Sequence, residues 1–341
     1  MALAPNTVIN TILTAQPAVF DRSHWSRIRL TGADRVRFLH NQTTNNIEQL
    51  AEGQGCYTVF VTSTGRTLDL ASVYALPDSL LLTLSPEMGK PLYDWMDRYI
   101  FFSDKVTLTD ESEQLFLFTV LGENADVIAS SLGAESLIGQ PLFTHTSVAL
   151  PNSELETADT IHVAVGTDLA MPGYTLWGPK AHSEAVWQAL CDAGASVHTA
   201  QQWEQLRIQQ GRPMPGYELT DADNPLEAGL WRSVSFEKGC YIGQETIARL
   251  NTYQGVKKRL WGLVLENDVP TDVLVNMPVT VEGTKIGKIT SLAHSESGTF
   301  GLAYIRTKAG GEKLTVDLGD TSAQVTGLPF VLHEYYTPET K

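Results

Sequence analysis

Lys238, Gly239, Cys240, Tyr241, Ile242, Gly243, Gln244 and Glu245 follow one another without interruption. Two are glycines that permit tight backbone, and Lys238, Cys240, Tyr241, Gln244 and Glu245 carry groups able to do chemistry. A segment built only for packing is apolar at a period of 2 or 3.6. This one is apolar only at Tyr241 and Ile242. With residues 236–240 extended, Phe236, Lys238 and Cys240 project to one face. An ammonium beside a thiol favours the thiolate, the form that attacks and that binds metals. A helix beginning near Gly243 adds its positive end a few residues away. The competing reading of Cys240 is a buried free thiol that packs as a small hydrophobe. Lys238, two positions before it, favours the reactive thiol.

The octapeptide resembles the signature of the YgfZ family of folate-binding proteins, which are related to the glycine-cleavage aminomethyltransferase, or T-protein. The resemblance extends from about residue 20 over most of the chain. It includes Gly32-Ala33-Asp34 with Phe38 to Asn45, Gly65-Arg66-Thr67-Leu68-Asp69, Arg98-Tyr99-Ile100, Leu206 to Pro213, Gly287 to Ser291, and Leu302 to Arg306. It implies an α+β, multi-domain aminomethyltransferase-like fold with a ferredoxin-like middle domain and a C-terminal small β-barrel. It also implies tetrahydrofolate or another reduced folate as the bound cofactor, and a role in maintaining iron–sulfur clusters in client proteins, including tRNA-modifying enzymes. On that reading Cys240, assisted by Lys238, is the key thiol.

A folate asks three things of a protein: flat apolar or aromatic faces for its pterin, an apolar slot for its linker, and cations for its glutamate carboxylates. By resemblance Asp69 stands near the reactive nitrogens of the folate; taken alone it reads rather as a turn-proximal or ion-paired strand aspartate. The T-protein carries a second Asp after the first, where this chain has Leu70. It also carries a Glu that meets the pterin edge, where this chain has Gln209. A neutral amide offers a weaker acceptor than a carboxylate, which argues against the runner-up reading, a folate-dependent aminomethyltransferase. A folate-sensing scaffold without chemistry is the third reading. Arg207, Arg249 and Arg259 are candidates for the folate carboxylates or ordinary ion-paired arginines. Asn41 sits in an amide-rich loop suited to a ligand or to turn chemistry. Trp231 and Tyr241 are candidate flat faces or core aromatics. Gln244 and Glu245 complete the candidate site.

Composition sets the background. The 341 residues have room for two or three domains, with 43% apolar and 18% charged residues as in ordinary globular proteins. A formal charge of −15 works against tight binding to bare nucleic acid or anionic membranes. The short run Lys257-Lys258-Arg259 reads as a solvated strand start. Three scattered cysteines, Cys56, Cys191 and Cys240, suggest neither a disulfide framework nor a zinc site, and favour a reducing compartment. They are too few for a four-thiolate cluster within one chain. No apolar run reaches the roughly 18 residues of a membrane span, and no Lys or Arg precedes Arg22. A cytoplasmic location is therefore expected, with no secretory or Arg-rich transit segment.

Strand and helix periodicities separate residues 1–112, an α+β domain of residues 113–199, and a barrel of residues 256–341; the resemblance implies that residues 200–255 return to residues 1–112 and complete the folate-binding core domain. Expected helices cover 34–39, the segment after Pro91, 180–193 with Ala181, Ala185, Val186, Ala189 and Leu190 as its buried stripe, and a helix capped by Thr199. Expected barrel strands cover 260–265, 279–281, 285–290, 300–305 and 314–316, with Glu282-Gly283 as a tight turn.

Overall fold

The computed structural model describes residues 16–149, 160–267, 275–295 and 298–338. The expectations for residues 1–15, and for all but the end of the acidic stretch 150–160, fall outside them. By compactness the chain resolves into two units. Of the described residues, the first holds those in 59–69 and from 204 onward, and the second those in 16–58 and 70–203.

The second unit begins with β1 (Ala18–Asp21), β2 (Ser26–Thr31) and α1 (Arg35–Gln42). It continues through β3 (Gly55–Val61), β4 (Thr67–Ala75), β5 (Ser79–Leu84), α2 (Gly89–Asp97) and β6 (Thr107–Asp110). The outer ends of β3 and β4, and the turn joining them, are the part of this stretch assigned to the first unit. Strands β2 to β6 form a five-stranded sheet in the order β3-β4-β5-β2-β6. Every residue of β5 is buried, as its apolar run Leu80-Leu81-Leu82 requires of an interior strand.

A second sheet follows from β7 (Leu115–Leu121), α3 (Ala125–Ser131), β8 (His145–Ala149), β9 (Thr160–Val165), β10 (Gly173–Pro179), α4 (Ser183–Asp192) and β11 (Ser196–His198). Its order is β11-β1-β7-β10-β9-β8. The succession β7, α3, β9, β10, α4, β11 keeps the β-α-β-β-α-β order of a ferredoxin-like unit, with β8 added at one edge. β1 is inserted between β7 and β11, antiparallel to the first and parallel to the second. Residues 18–21 thus join this sheet, whereas the sequence division grouped them with residues 1–112. The buried stripe of α4 is also narrower than expected. Val186 and Leu190 are buried, with Trp187, Ala189 and Ala193 packed beside them. Ala181 and Ala185 are exposed, because the first turn is a separate 3-10 turn over Lys180–His182 that changes the phase of the face.

One buried ion pair ties this unit together. The Arg22 guanidinium lies 3.8 Å from the ring centroid of Trp25 and 4.4 Å from that of Trp203. It donates to Asp168 Oδ2 at 2.6 Å and to Thr119 Oγ1 at 3.1 Å. Ser72 donates to the other Asp168 oxygen at 2.6 Å. Both charges are almost wholly withdrawn from water. Such a pair adds little net stability, but removing one partner strands the other.

The first unit carries the C-terminal part of α5 (Ala200–Gln210), then α6 (Gln244–Thr252) and six barrel strands. These are β12 (Lys258–Leu265), β13 (Pro278–Val281), β14 (Thr284–Ser295), β15 (Gly298–Arg306), β16 (Thr315–Leu318) and β17 (Thr321–Thr326). They close in the order β12-β15-β14-β13-β16-β17 around Leu263, Val279, Ile289, Ile305, Val316 and Val325. Thr199 caps α5, accepting from the Gln202 N–H at 3.2 Å. Glu282 and Gly283 both have positive φ, 49° and 74°, the geometry of the expected tight hairpin turn. Among the described residues no helix is long and apolar enough to cross a membrane.

Arg22→Ala is expected to destabilise the protein by about 3–5 kcal/mol, because Asp168 is left charged and buried. Denaturant unfolding checks this; a loss below about 1 kcal/mol would mean that the pair behaves as a surface ion pair.

Candidate functional site

The turn between β3 and β4 rests on the start of α6, and glycine makes the approach possible on both sides. Gly243 is the N-cap of α6 at φ 80°. A Cβ there would lie 2.4 Å from the Thr62 carbonyl oxygen and 3.0 Å from the Gly65 nitrogen. Gly65, at φ 71°, would place its own Cβ 3.1 Å from that of Thr246. Both positions therefore need a residue without a side chain. Thr67 then anchors the start of β4: its N–H donates to the Asp223 carbonyl at 3.0 Å and its hydroxyl to the Thr220 carbonyl at 3.1 Å. Two residues on, Asp69 is completely buried. The Gly65–Asp69 block and the Lys238–Glu245 segment, 170 positions apart in sequence, thus meet in one unit.

The octapeptide departs from the expected extended form. Residues 236–238 bend, so Phe236, Lys238 and Cys240 do not share one strand face. Lys238 is buried, with its ammonium 4.8 Å from the ring centroid of Tyr241, while Cys240 is exposed. The aromatic packing accounts for the bend. Phe236 stacks on Tyr336 at 5.1 Å and 12°, and packs on Trp231 at 6.0 Å. A cation over a ring face is attracted by the ring quadrupole, more strongly when water is excluded. The exposure of Cys240 removes the buried-hydrophobe reading of that thiol. The expected helix start at Gly243 is present. Glu245 lies in its first turn and Arg249 in its last, each on the side that the helix dipole favours. Burial raises the pKa of the Tyr241 phenol.

The segment beyond the barrel completes this corner and was not read from sequence. Leu332 N–H donates to Gly229 O at 2.9 Å, and the imidazole Nε2 of His333 donates to Leu260 O at 2.9 Å. Tyr335 packs edge-on against Trp231 at 5.1 Å. The Asn251 amide holds the Tyr336 backbone through two hydrogen bonds, at 2.9 and 3.1 Å, and the Tyr336 hydroxyl donates to Glu237. Residues 332–336 thus form a strap across Trp231, the Phe236-Glu237 bend just before the octapeptide, and the end of α6 at Asn251. The only sequence signal was aromatic clustering at Tyr335-Tyr336.

The remaining candidates separate. Arg207 is fully buried and committed. It pairs with Glu204 and Glu218, and donates to Ser291 Oγ at 3.0 Å and Arg212 O at 2.9 Å. Burial opposes its charge, but the two carboxylates outweigh that and raise its pKa. Its donors serve the fold, which leaves none for a folate carboxylate. Arg259 lies 5.6 Å from the Tyr335 ring centroid, against the strap. Arg249 is exposed with no acidic partner among the described residues. Gln209 is half-buried, and its Oε1 is shut off from solvent with no hydrogen-bond donor among the described residues. Buried acceptors are seldom left so; the Gln210 Oε1 beside it is in the same state, but Gln210 is buried while half-buried Gln209 is open to an N–H donor on a ligand edge. Asn41 is in the second unit, lining a crevice of about 220 Å³ with Asp34, Tyr99 and Asp104. Glu218 and Glu227, unremarked in the sequence, are both buried; burial raises the pKa of Glu227 against the opposing charge of Lys258. Among the described residues no three His, Cys, Asp or Glu side chains converge as a metal site.

Two outcomes follow from this geometry. Gly243→Ala is expected to lower stability by at least about 1 kcal/mol, combining φ strain with the clash on Thr62; unchanged denaturant unfolding would remove the close-packing account. His333 is held neutral mainly by burial, with Arg259 adding to the effect, and its pKa falls to about 4. The unfolded chain titrates near 6.5, so it takes up the proton first as pH falls. Strap stability is therefore complete above about pH 6.5 and lost as pH falls towards about 4. Hydrogen-exchange protection at Leu332 and Tyr336 should decline across that window in the wild type and much less in His333→Gln. Equal profiles would assign the decline to other groups.

Residues 12–238 match the GCVT N-terminal domain, and residues 258–331 match the glycine cleavage T-protein C-terminal barrel domain. A chloroplastic protein of Arabidopsis thaliana that carries a transferase name is 43% identical over 320 residues, covering 93% of this chain and 72% of the relative. An aminomethyltransferase of Halothermothrix orenii is 25% identical over 328 residues, covering 93% and 88%. The crystal structure of the glycine cleavage system aminomethyltransferase T from Bartonella henselae shares the fold with a TM-score of 0.78 at 18% identity, covering 94% of this chain and 88% of that one. With both family domains matched in order along its length, the chain belongs to the glycine-cleavage T-protein family.

Proposed function

We propose that this protein binds a reduced folate, tetrahydrofolate in the first instance, and supports the assembly or repair of iron–sulfur clusters in client enzymes, with Cys240 as its working thiol. The observation that carries the folate reading is Gln209, whose buried Oε1 lacks a donor among the described residues. A pterin edge supplies N–H donors of the required kind. Tyr241 and Trp231, the aromatic candidates, are buried and packed against Lys238, Phe236 and Tyr335, whereas exposed Arg249 is a cation for the glutamate carboxylates. Asp69 is the buried carboxylate assigned to the reactive end of the folate. The cluster is substrate on this reading. A single exposed thiol, Cys240, suits transient contact with a client rather than retention of a cluster. Three free cysteines fit a reducing, cytoplasm-like compartment.

The second reading, aminomethyl transfer to tetrahydrofolate, is favoured by the family and by relatives named aminomethyltransferase. Gln209 and Leu70 weigh against it, because each replaces a carboxylate with a neutral group.

Calorimetric titration with tetrahydrofolate tests the binding step. Gln209→Glu, which restores a charged acceptor, is expected to tighten binding by about tenfold, and Gln209→Leu to weaken it by a similar factor. No heat and no thermal shift at millimolar tetrahydrofolate would remove the folate reading. Cys240→Ser should fold and bind folate as the wild type does, yet fail to restore iron–sulfur enzyme activity in cells lacking the native homologue. Full restoration would favour the scaffold reading, and aminomethyl transfer by the purified wild type would favour the second.

A further inference from the structure

We propose that a cleft on the barrel wall is a binding site for the phosphates of a nucleoside di- or triphosphate, separate from the residues assigned to folate. The cleft has a volume of about 240 Å³ and is lined by Lys258, Lys285, Lys288 and Arg306, with Asp223 and Tyr217 beside them. Four cations and one carboxylate meet here, in a chain whose acidic residues outnumber its basic ones 39 to 24. Asp223 is spent on Lys258, at 2.5 Å. Lys285, Lys288 and Arg306 have no acidic partner among the described residues.

The barrel's construction brings these charges together. Lys258 on β12 lies directly opposite Arg306 on β15, and Lys288 on β14 lies opposite Tyr304 on β15. Three adjacent strands therefore each contribute. Lys285 and Lys288 are three apart, and in a regular strand they would point to opposite faces. The register of β14 against β13 slips between Val279 and Thr280, which pair with Gly287 and Lys285. That bulge shifts the alternation by one residue and lets both lysines line the same cleft. Like charges set directly across a ladder are destabilising. Asp223 relieves one of the four, and a polyanion relieves the rest.

The ligand's size and second group follow from the surroundings. The cleft is smaller than a typical pocket for a whole drug-sized molecule but suits a short chain of phosphates. At its edge Tyr217 is 52% exposed and offers a ring on which a base stacks. Long RNA is disfavoured. The cations occupy one cleft rather than a stripe, and the overall charge of −15 repels an extended polyanion.

The test titrates the full-length protein with inorganic triphosphate and with ATP at low salt. Both are expected to bind, ATP more tightly. Lys288→Gln and Arg306→Gln, exposed positions without described partners, should each weaken both ligands by about tenfold. Tyr217→Ala should weaken ATP and leave triphosphate unchanged, whereas Lys308→Gln should change neither. Gln209→Leu should leave ATP binding intact, which separates this site from the folate reading. The proposal is overturned by no heat from either anion at millimolar concentration, or by wild-type affinity in the Lys288→Gln, Arg306→Gln double variant. Equal binding of ATP and triphosphate, unaffected by Tyr217→Ala, would overturn the nucleotide assignment and leave a simple phosphate site. Tight, salt-steep tRNA binding that ATP does not displace would replace it with an RNA contact.

Discussion

Two backbones meet at Gly65 and Gly243 with no side chain between them, and the arrangement of the candidate site depends on that approach. The hairpin turn after β3 abuts the first turn of α6 closely enough that a single methyl group at Gly243 would intrude on the Thr62 carbonyl. This contact fixes where β4 begins, and so where Asp69 stands relative to the octapeptide. Positive φ at both glycines shows that the constraint is conformational as well as steric.

A second constraint is electrostatic. Arg207 is surrounded by Glu204, Glu218, Ser291 and the Arg212 carbonyl. The same Glu218 residue accepts at its backbone from the Tyr304 hydroxyl at 2.7 Å. Helix α5, the loop after it and the barrel strands β14 and β15 are therefore joined through one buried charge cluster. In a dry setting such a cluster is stable only when all its members are satisfied. Gln209 and Gln210, beside this cluster, each keep a buried acceptor without a donor among the described residues, and Gln209 is the one whose side chain is only half-buried.

Much of this was legible in the sequence. The apolar run of β5, the Thr199 cap, the Glu282-Gly283 turn and the helix beginning after Gly243 are local signals, and each corresponds to a local structure. The octapeptide announced itself by composition alone. Other features depend on partners that sequence order hides. β1 pairs with β11 across about 180 residues (Ala18 with Ser196), and no periodicity reports such a pairing. The extended face expected for Phe236, Lys238 and Cys240 gave way to a bend because Phe236 stacks on Tyr336, a hundred positions on. Arg207 stayed open between a ligand cation and an ion-paired arginine, because Glu218 and Ser291 come to it only through the fold.

The strap has a consequence for biosynthesis. Residues 332–336 reach back to Gly229, Glu237, Asn251 and Leu260. A ribosome makes those four positions first and the strap later. Until Tyr336 has been made, the corner around Trp231 and Phe236 lacks the ring that packs on Phe236 and the Tyr335 ring on Trp231. This interval favours early capture by a chaperone, and it makes closure of the corner later than the making of every element the strap contacts.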